Sequence, residues 1–119
     1  MIASTRQVTV YAYAQPVDMR RSFDGLSILV SEGLGRDPLS GDLFLFVGRN
    51  RRRAKVLMWD GTGLCVYAKR LEKGRFTAPW TLPGESALRM TMTELQLLLE
   101  GTELLGRLPL SPTPYSLAS

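Results

Sequence analysis

Three short apolar runs follow one another in the middle of the chain: Leu43 to Val47, Ala54 to Trp59 and Leu64 to Ala68. Each is rich in Val, Leu, Phe, Tyr or Trp and is bounded by Gly, Asn, Asp or Arg, which is how strands read. The connectors between them are too short for parallel crossovers, so the runs predict an antiparallel meander. Phe44 and Phe46 face opposite to Leu43, Leu45 and Val47, so both faces of the sheet need cover. A helix can take one face. The other calls for the C-terminal segment or another copy of the chain.

Val8 to Ala14 alternates, with Val8, Val10, Ala12 and Ala14 on one side and Thr9, Tyr11 and Tyr13 on the other, and predicts a further strand. Met19, Phe23, Leu26, Val30 and Leu34 then recur at helical spacing, widened by Ile28 and Leu29. Phe23, Leu26 and Val30 are expected against the sheet, with Ser27 and Glu32 in water. Asp18 and Ser22 both suit the N-cap. Gly25 interrupts the pattern, which implies a bend or a close approach of another backbone, and Gly33 and Gly35 end the helix. Residues 36–42 read as a loop. Residues 77–86 are punctuated by Pro and Gly, with Trp80 as an anchor. Thr91 and Glu94 match a capping box, predicting a helix from Met92 to Glu100 that buries Leu95, Leu98 and Leu99 and stops at Gly101.

The expected architecture is α+β: a mainly antiparallel sheet of about four strands containing the meander, one helix packed across it and a second, C-terminal helix. Residues 1–101 form a single domain in this reading, with 1–7 frayed. Residues 102–119 form a Pro-rich, partly disordered tail.

The charge pattern sharpens this picture. The chain has 119 residues and a formal net charge of +4. Asp42 to Phe76 alone holds nine basic residues, Arg49, Arg51, Arg52, Arg53, Lys55, Lys69, Arg70, Lys73 and Arg75, against three acidic ones. In a meander the first connector and the end of the third strand lie at one end of the sheet, away from the turn at residues 60–63. Two basic clusters distant in sequence therefore meet, as binding a polyanion requires. A plainer role for the hairpin arginines is to blunt a sheet edge against aggregation. Arg20 and Arg21, beside Asp18 and Asp24, have internal partners within reach.

There is no histidine and a single cysteine, Cys65. This removes Ser-His-Asp and Cys-His nucleophile systems, His-ligated metals, zinc sites and any internal disulfide. No phosphate-loop or dinucleotide fingerprint occurs. Asp60 reads as the first residue of a turn, and Cys65 as a buried thiol. The expectation is a protein with no catalytic site, metal or cofactor. Trp59, Tyr67, Phe76 and Trp80 read mainly as core, with Phe76, next to Arg75, the best candidate to stack on a base. With no apolar leader and no apolar run of about 20 residues, a soluble cytoplasmic protein is expected.

Residues PVDMRRSFDGL, followed by DPLSGDLFLFVGRNRRRAKVLMWDGTGLCVYAKRLEKGRF, resemble the TnpB accessory proteins of the IS-sixty-six class of bacterial insertion sequences. The likeness rests on Asp18-Met19-Arg20 with Gly25-Leu26, on Asn50-Arg51-Arg52-Arg53 with Lys55, and on Lys69-Arg70-Leu71 with Gly74-Arg75-Phe76. It runs from about Val8 to Phe76, and more loosely to Gly101. Such proteins usually carry Trp near the position of Ala78, which Ala78-Pro79-Trp80 shifts here. The resemblance implies a small protein encoded beside a separate transposase and required for transposition. The expected function is that of a non-catalytic accessory protein binding DNA through the nine basic residues. The alternative is an adaptor that docks on the transposase without itself binding DNA.

Overall fold

The three central runs pair as their spacing predicts, and two further strands join them. The computed structural model describes residues 8–81 and 87–101; the expectations for 1–7 and for the tail over 102–119 lie outside the described residues. Among the described residues the strands are β1 (Val10–Tyr13), β2 (Leu43–Val47), β3 (Arg53–Trp59), β4 (Leu64–Arg70) and β5 (Ala87–Met90). They form one sheet in the order β4-β3-β2-β1-β5. The meander β2-β3-β4 is antiparallel, β1 lies parallel to β2, and β5 runs antiparallel to β1. β5 is absent from the expected strands. Its four residues, ALRM, carry too little alternation to register beside the helix signal that follows. The third meander strand ends at Lys69 and Arg70, as expected.

Every residue of β2 is buried, because the sheet is covered on both faces. On one face helix α1 (Phe23–Ile28), continued by a wider π turn (Leu29–Gly33), lays Leu26 and Val30 against Tyr11, Phe44, Phe46 and Leu57. Gly35, at φ +64°, ends this helix and lets Arg36 N–H return to Val30 O at 3.1 Å. The Arg36 guanidinium then lies 4.0 Å above the Tyr11 ring.

On the other face α2 (Met92–Glu100) lays Leu95 and Leu98 over Val10, Leu45 and Val56. The expected capping box is present: Thr91 Oγ1 accepts from Glu94 N–H, and Glu94 Oε1 accepts from Thr91 N–H. The C-terminal segment thus covers the second face at its centre, and Leu99 is partly buried. No helix among the described residues is long and apolar enough to cross a membrane.

Four expectations about burial are corrected. Tyr67, read as core, is 54% exposed on the edge strand β4. Phe23 is 47% exposed, because the helix begins only at Phe23, with Ser22 before it, and its first residue overhangs the sheet. Phe76, the candidate base-stacker, is fully buried on the α2 face. Cys65 is half-buried. Gly25 makes its close approach to a side chain rather than a backbone: a Cβ there would sit 3.1 Å from Arg21 Cβ.

Leu26→Ala is therefore expected to cost about 2–5 kcal/mol in a urea melt, and Phe23→Ala less than about 1 kcal/mol. Equal losses would place the two side chains in the same environment.

Candidate nucleic-acid interface

The β2–β3 hairpin is closed by a turn built from polar residues. Arg51 N–H donates to Gly48 O and Gly48 N–H to Arg53 O, while Asn50 Oδ1 accepts from Arg52 N–H at 2.9 Å, an Asx turn. Arg51 has φ 61°, the one positive φ at a non-glycine residue among the described residues. Arginine gains nothing from that conformation, and glycine would adopt it without strain. The side chain is retained at a backbone cost, which marks the turn as a place to look for function.

The β4 end is stitched to this turn. β4 pairs with β3 so that Arg70 faces Arg53 and Lys69 faces Ala54. Beyond the strand, Leu71 N–H donates to Arg52 O at 2.8 Å and Phe76 N–H to Arg51 O at 2.7 Å. The loop holding Lys73 and Arg75 is pinned at both ends to the hairpin. Arg49, Arg51, Arg52, Arg53, Arg70, Lys73 and Arg75 therefore share the end of the sheet opposite the turn at Asp60 to Gly63.

The two remaining lysines are turned elsewhere. Arg53, Lys55 and Arg70 lie on the α1 face, and Lys69 on the α2 face, because alternate residues of a strand face opposite sides. Lys55 Nζ donates to Arg21 O at 2.7 Å. Lys69 Nζ donates to Leu99 O at 2.7 Å, near the negative end of the α2 dipole. Both act as tethers between the sheet and its covering segments. Arg70 meets Glu72 at 3.4 Å with both side chains largely exposed, a contact of little energetic weight. By contrast, Arg49, Arg51, Arg52, Arg53 and Lys73 make no side-chain hydrogen bond or ion pair among the described residues. A shallow depression of about 380 Å³ lies beside them, lined by Met19, Arg53, Lys55, Ala68, Arg70 and Glu72.

A third segment, distant in sequence from both basic clusters, also reaches this end. β1 runs parallel to β2, so residues 14–22 emerge there, and Val17 N–H donates to Val47 O. Met19 packs against Gly48, where any Cβ would lie 2.8 Å from Met19 Cγ. Of the two arginines in this segment, Arg20 is paired with Asp18, Nη2 to Oδ2 at 2.7 Å. The hydrogen bonds from Arg20 hold the Asp18 carboxyl far below the usual carboxylate range, and Asp18 raises the Arg20 guanidinium in turn. The pair contributes no net charge to the surface.

At the far end Asp60 Oδ1 accepts from Thr62 N–H and Gly63 N–H, and these amides lower its pKa. Cys65 S–H donates to Asp60 Oδ2 at 3.5 Å. Burial pushes the thiol up, and the hydrogen bond and charge of Asp60 add to it. Among the described residues no group of three or more Cys, Asp and Glu is placed to hold a metal ion.

The family model described as IS66 Orf2 like protein matches residues 8–107. Two curated relatives come from Sinorhizobium fredii (strain NBRC 101917 / NGR234). Uncharacterized protein y4jC is 38% identical over 103 residues, covering 87% of this chain and 86% of the relative. Uncharacterized protein y4hO is 37% identical over 103 residues, covering 87% of this chain and 88% of the relative. No solved structure matches the chain.

Four outcomes are expected of this geometry. Arg51→Gly should leave stability unchanged or raise it by up to about 1 kcal/mol, whereas Lys69→Met should lower it by about 1 kcal/mol, both read from urea midpoints. At the far end, Cys65 should alkylate more slowly at pH 8 than a cysteine in an unfolded peptide, since its raised pKa leaves less thiolate. Asp60→Asn should speed the reaction by removing the neighbouring charge.

Proposed function

The chain belongs to the IS66 Orf2-like family, and from that premise we propose that it is a non-catalytic accessory protein that binds DNA at the basic end of its sheet. Family membership carries the coarser statement, an accessory role in insertion-sequence transposition. The observation that supports the finer one is the hairpin turn. Arg49, Arg51, Arg52 and Arg53 stand together on it without partners among the described residues. Guanidinium groups present planar donor pairs that suit phosphate oxygens. Within one Debye length, about 8 Å at physiological salt, their fields reinforce one another.

Of the nine candidate residues, Arg49, Arg51, Arg52, Arg53 and Lys73 are the primary phosphate contacts in this reading, with Arg70 and Arg75 beside them. Lys55 and Lys69 act through the fold, holding the covering segments in place. The depression beside Arg53 and Arg70, with Met19 and Ala68 in its lining, suits the sugar–phosphate edge of a strand. Binding through phosphates positions a protein on DNA without reading its sequence, so little base preference is expected from this surface alone.

A second reading uses the same groups. Free guanidinium groups fit carboxylates as well as phosphates, so the turn could dock on an acidic surface of a separately encoded transposase. The two readings differ in what the isolated protein does.

Arg51, Arg52 and Arg53 replaced together by Ala should leave far-UV circular dichroism unchanged and abolish transposition in cells. In gel shifts on transposon-end DNA and on random duplex, the variant should bind more weakly on both. Its plot of log affinity against log salt should flatten by about 0.9 per lost phosphate contact. If wild type and variant bind DNA equally, and only the variant fails to co-purify with the transposase, the adaptor reading holds. If the variant transposes normally, the turn has no role in the process, and its aggregation would identify the arginines as edge protection.

A further inference from the structure

Among the described residues β4 forms one edge of the sheet and pairs only with β3. Two hydrogen bonds fix which of its backbone groups face inward. Asp60 N–H donates to Gly63 O at one end of the β3–β4 hairpin, and Leu71 N–H donates to Arg52 O at the other. Both fall in the register that sets Val56 opposite Tyr67, and hydrogen-bonded pairs alternate with non-bonded ones along an antiparallel ladder. Cys65, Tyr67 and Lys69 therefore bond to β3. The N–H and C=O groups of Leu64, Val66, Ala68 and Arg70 point away from it, and nothing pairs with them among the described residues.

Among the described residues this edge lacks the usual protection. β4 has seven residues, LCVYAKR, with no proline, and its charges stand only at its end. Tyr67 is 54% exposed. Beside it, on the α2 face, lies an apolar groove of about 520 Å³ lined by Val56, Met58, Tyr67, Met92, Leu95 and Leu99.

We propose that β4 pairs with β4 of a second copy of this chain, antiparallel, about a two-fold axis that passes between the two Tyr67 residues. The strand is self-complementary in that register. Tyr67 is the central residue of β4, so all four outward-bonding residues find partners: Leu64 with the partner's Arg70, and Val66 with the partner's Ala68. Charge selects the direction. Antiparallel pairing sets Lys69 and Arg70 opposite the partner's Cys65 and Leu64, whereas parallel pairing would stack the basic ends on each other. The pairing also closes. Joining β4 to the other edge, β5, would use a strand of four residues and would propagate into an open chain of copies.

Residues directly opposite in a sheet share a face, so the two Tyr67 rings stand side by side on the α2 face and cover each other. The two grooves join across the axis. The basic ends remain free, with Arg70 and the partner's Arg70 about 20 Å apart along the strand direction.

The full 119-residue chain tests this. Light scattering after gel filtration should give a mass twice the 13.3 kDa of one chain. Ala68→Pro removes an outward N–H and leaves the β3 bonds intact; it should give a single-chain mass with unchanged far-UV circular dichroism. A second variant reads the register. Tyr67→Cys in a Cys65→Ser background places two thiols on opposing residues whose Cα atoms are about 4.5 Å apart, within disulfide reach. Oxidised glutathione should cross-link it into a two-chain species, and adding Ala68→Pro should abolish the cross-link. A single-chain wild type that does not cross-link overturns the proposal and leaves the edge to another partner or to residues 102–119. A two-chain species that ignores Ala68→Pro and does not cross-link also overturns it, placing the contact elsewhere.

Discussion

Two backbone hydrogen bonds, from Leu71 to Arg52 and from Phe76 to Arg51, hold the basic end of this protein together. Strand pairing already sets Arg70 opposite Arg53; these two bonds add the loop after β4, holding Lys73 and Arg75 beside the hairpin turn. The bonds are affordable because Leu71 and Phe76 are themselves core residues, buried on the α2 face. Hydrophobic burial of these two side chains pulls the intervening loop inward and leaves Lys73 and Arg75 at the rim. The cluster of like charge is maintained by apolar packing behind it, since electrostatics alone would disperse it.

The same economy appears in the lysines. Lys55 and Lys69 lie in adjacent strands near the same end of the sheet but on opposite faces, and each donates to the backbone of the segment covering its face. Their charges help to close the layers over the sheet: Lys55 secures the approach to α1, and Lys69 the end of α2. Among the described residues the arginines of the turn do nothing comparable inside the fold. A division between tethering lysines and unpartnered arginines fits their chemistry, a compact ammonium for a single carbonyl and a planar fork for an external anion.

The apolar cover is uneven. Over the centre of the sheet, Phe44, Phe46, Leu45 and Val10 are buried to within 1% of their surface. Towards β4 the cover thins, leaving Val66 partly buried and Tyr67 exposed. A sheet with both faces apolar gains most from cover at its middle strands, where each added contact is shared by neighbours on both sides. An edge strand receives less and keeps unpaired backbone groups, and so becomes the natural place for another chain to add.

Much of this was legible in the sequence. The meander followed from run lengths and short connectors, the α2 cap from Thr91 and Glu94, the second covered face from Phe44 and Phe46 alternating with Leu43, Leu45 and Val47. The meeting of the basic clusters followed from strand direction alone. These are local or nearest-neighbour properties, set by backbone geometry and side-chain alternation. Other features depend on contacts between distant segments. Nothing local places β1 between β2 and β5, because Val10 to Tyr13 and Ala87 to Met90 are too short to specify partners. Nothing local sends Phe76 inside while Phe23 stays out, since each depends on where its segment enters the layer. Whether Lys55 and Lys69 are free or bonded is decided by carbonyls 34 and 30 residues away. The sequence determined which residues carry charge and which strands bring them near; only the tertiary structure decided which charges are used within the fold and which stay at its surface.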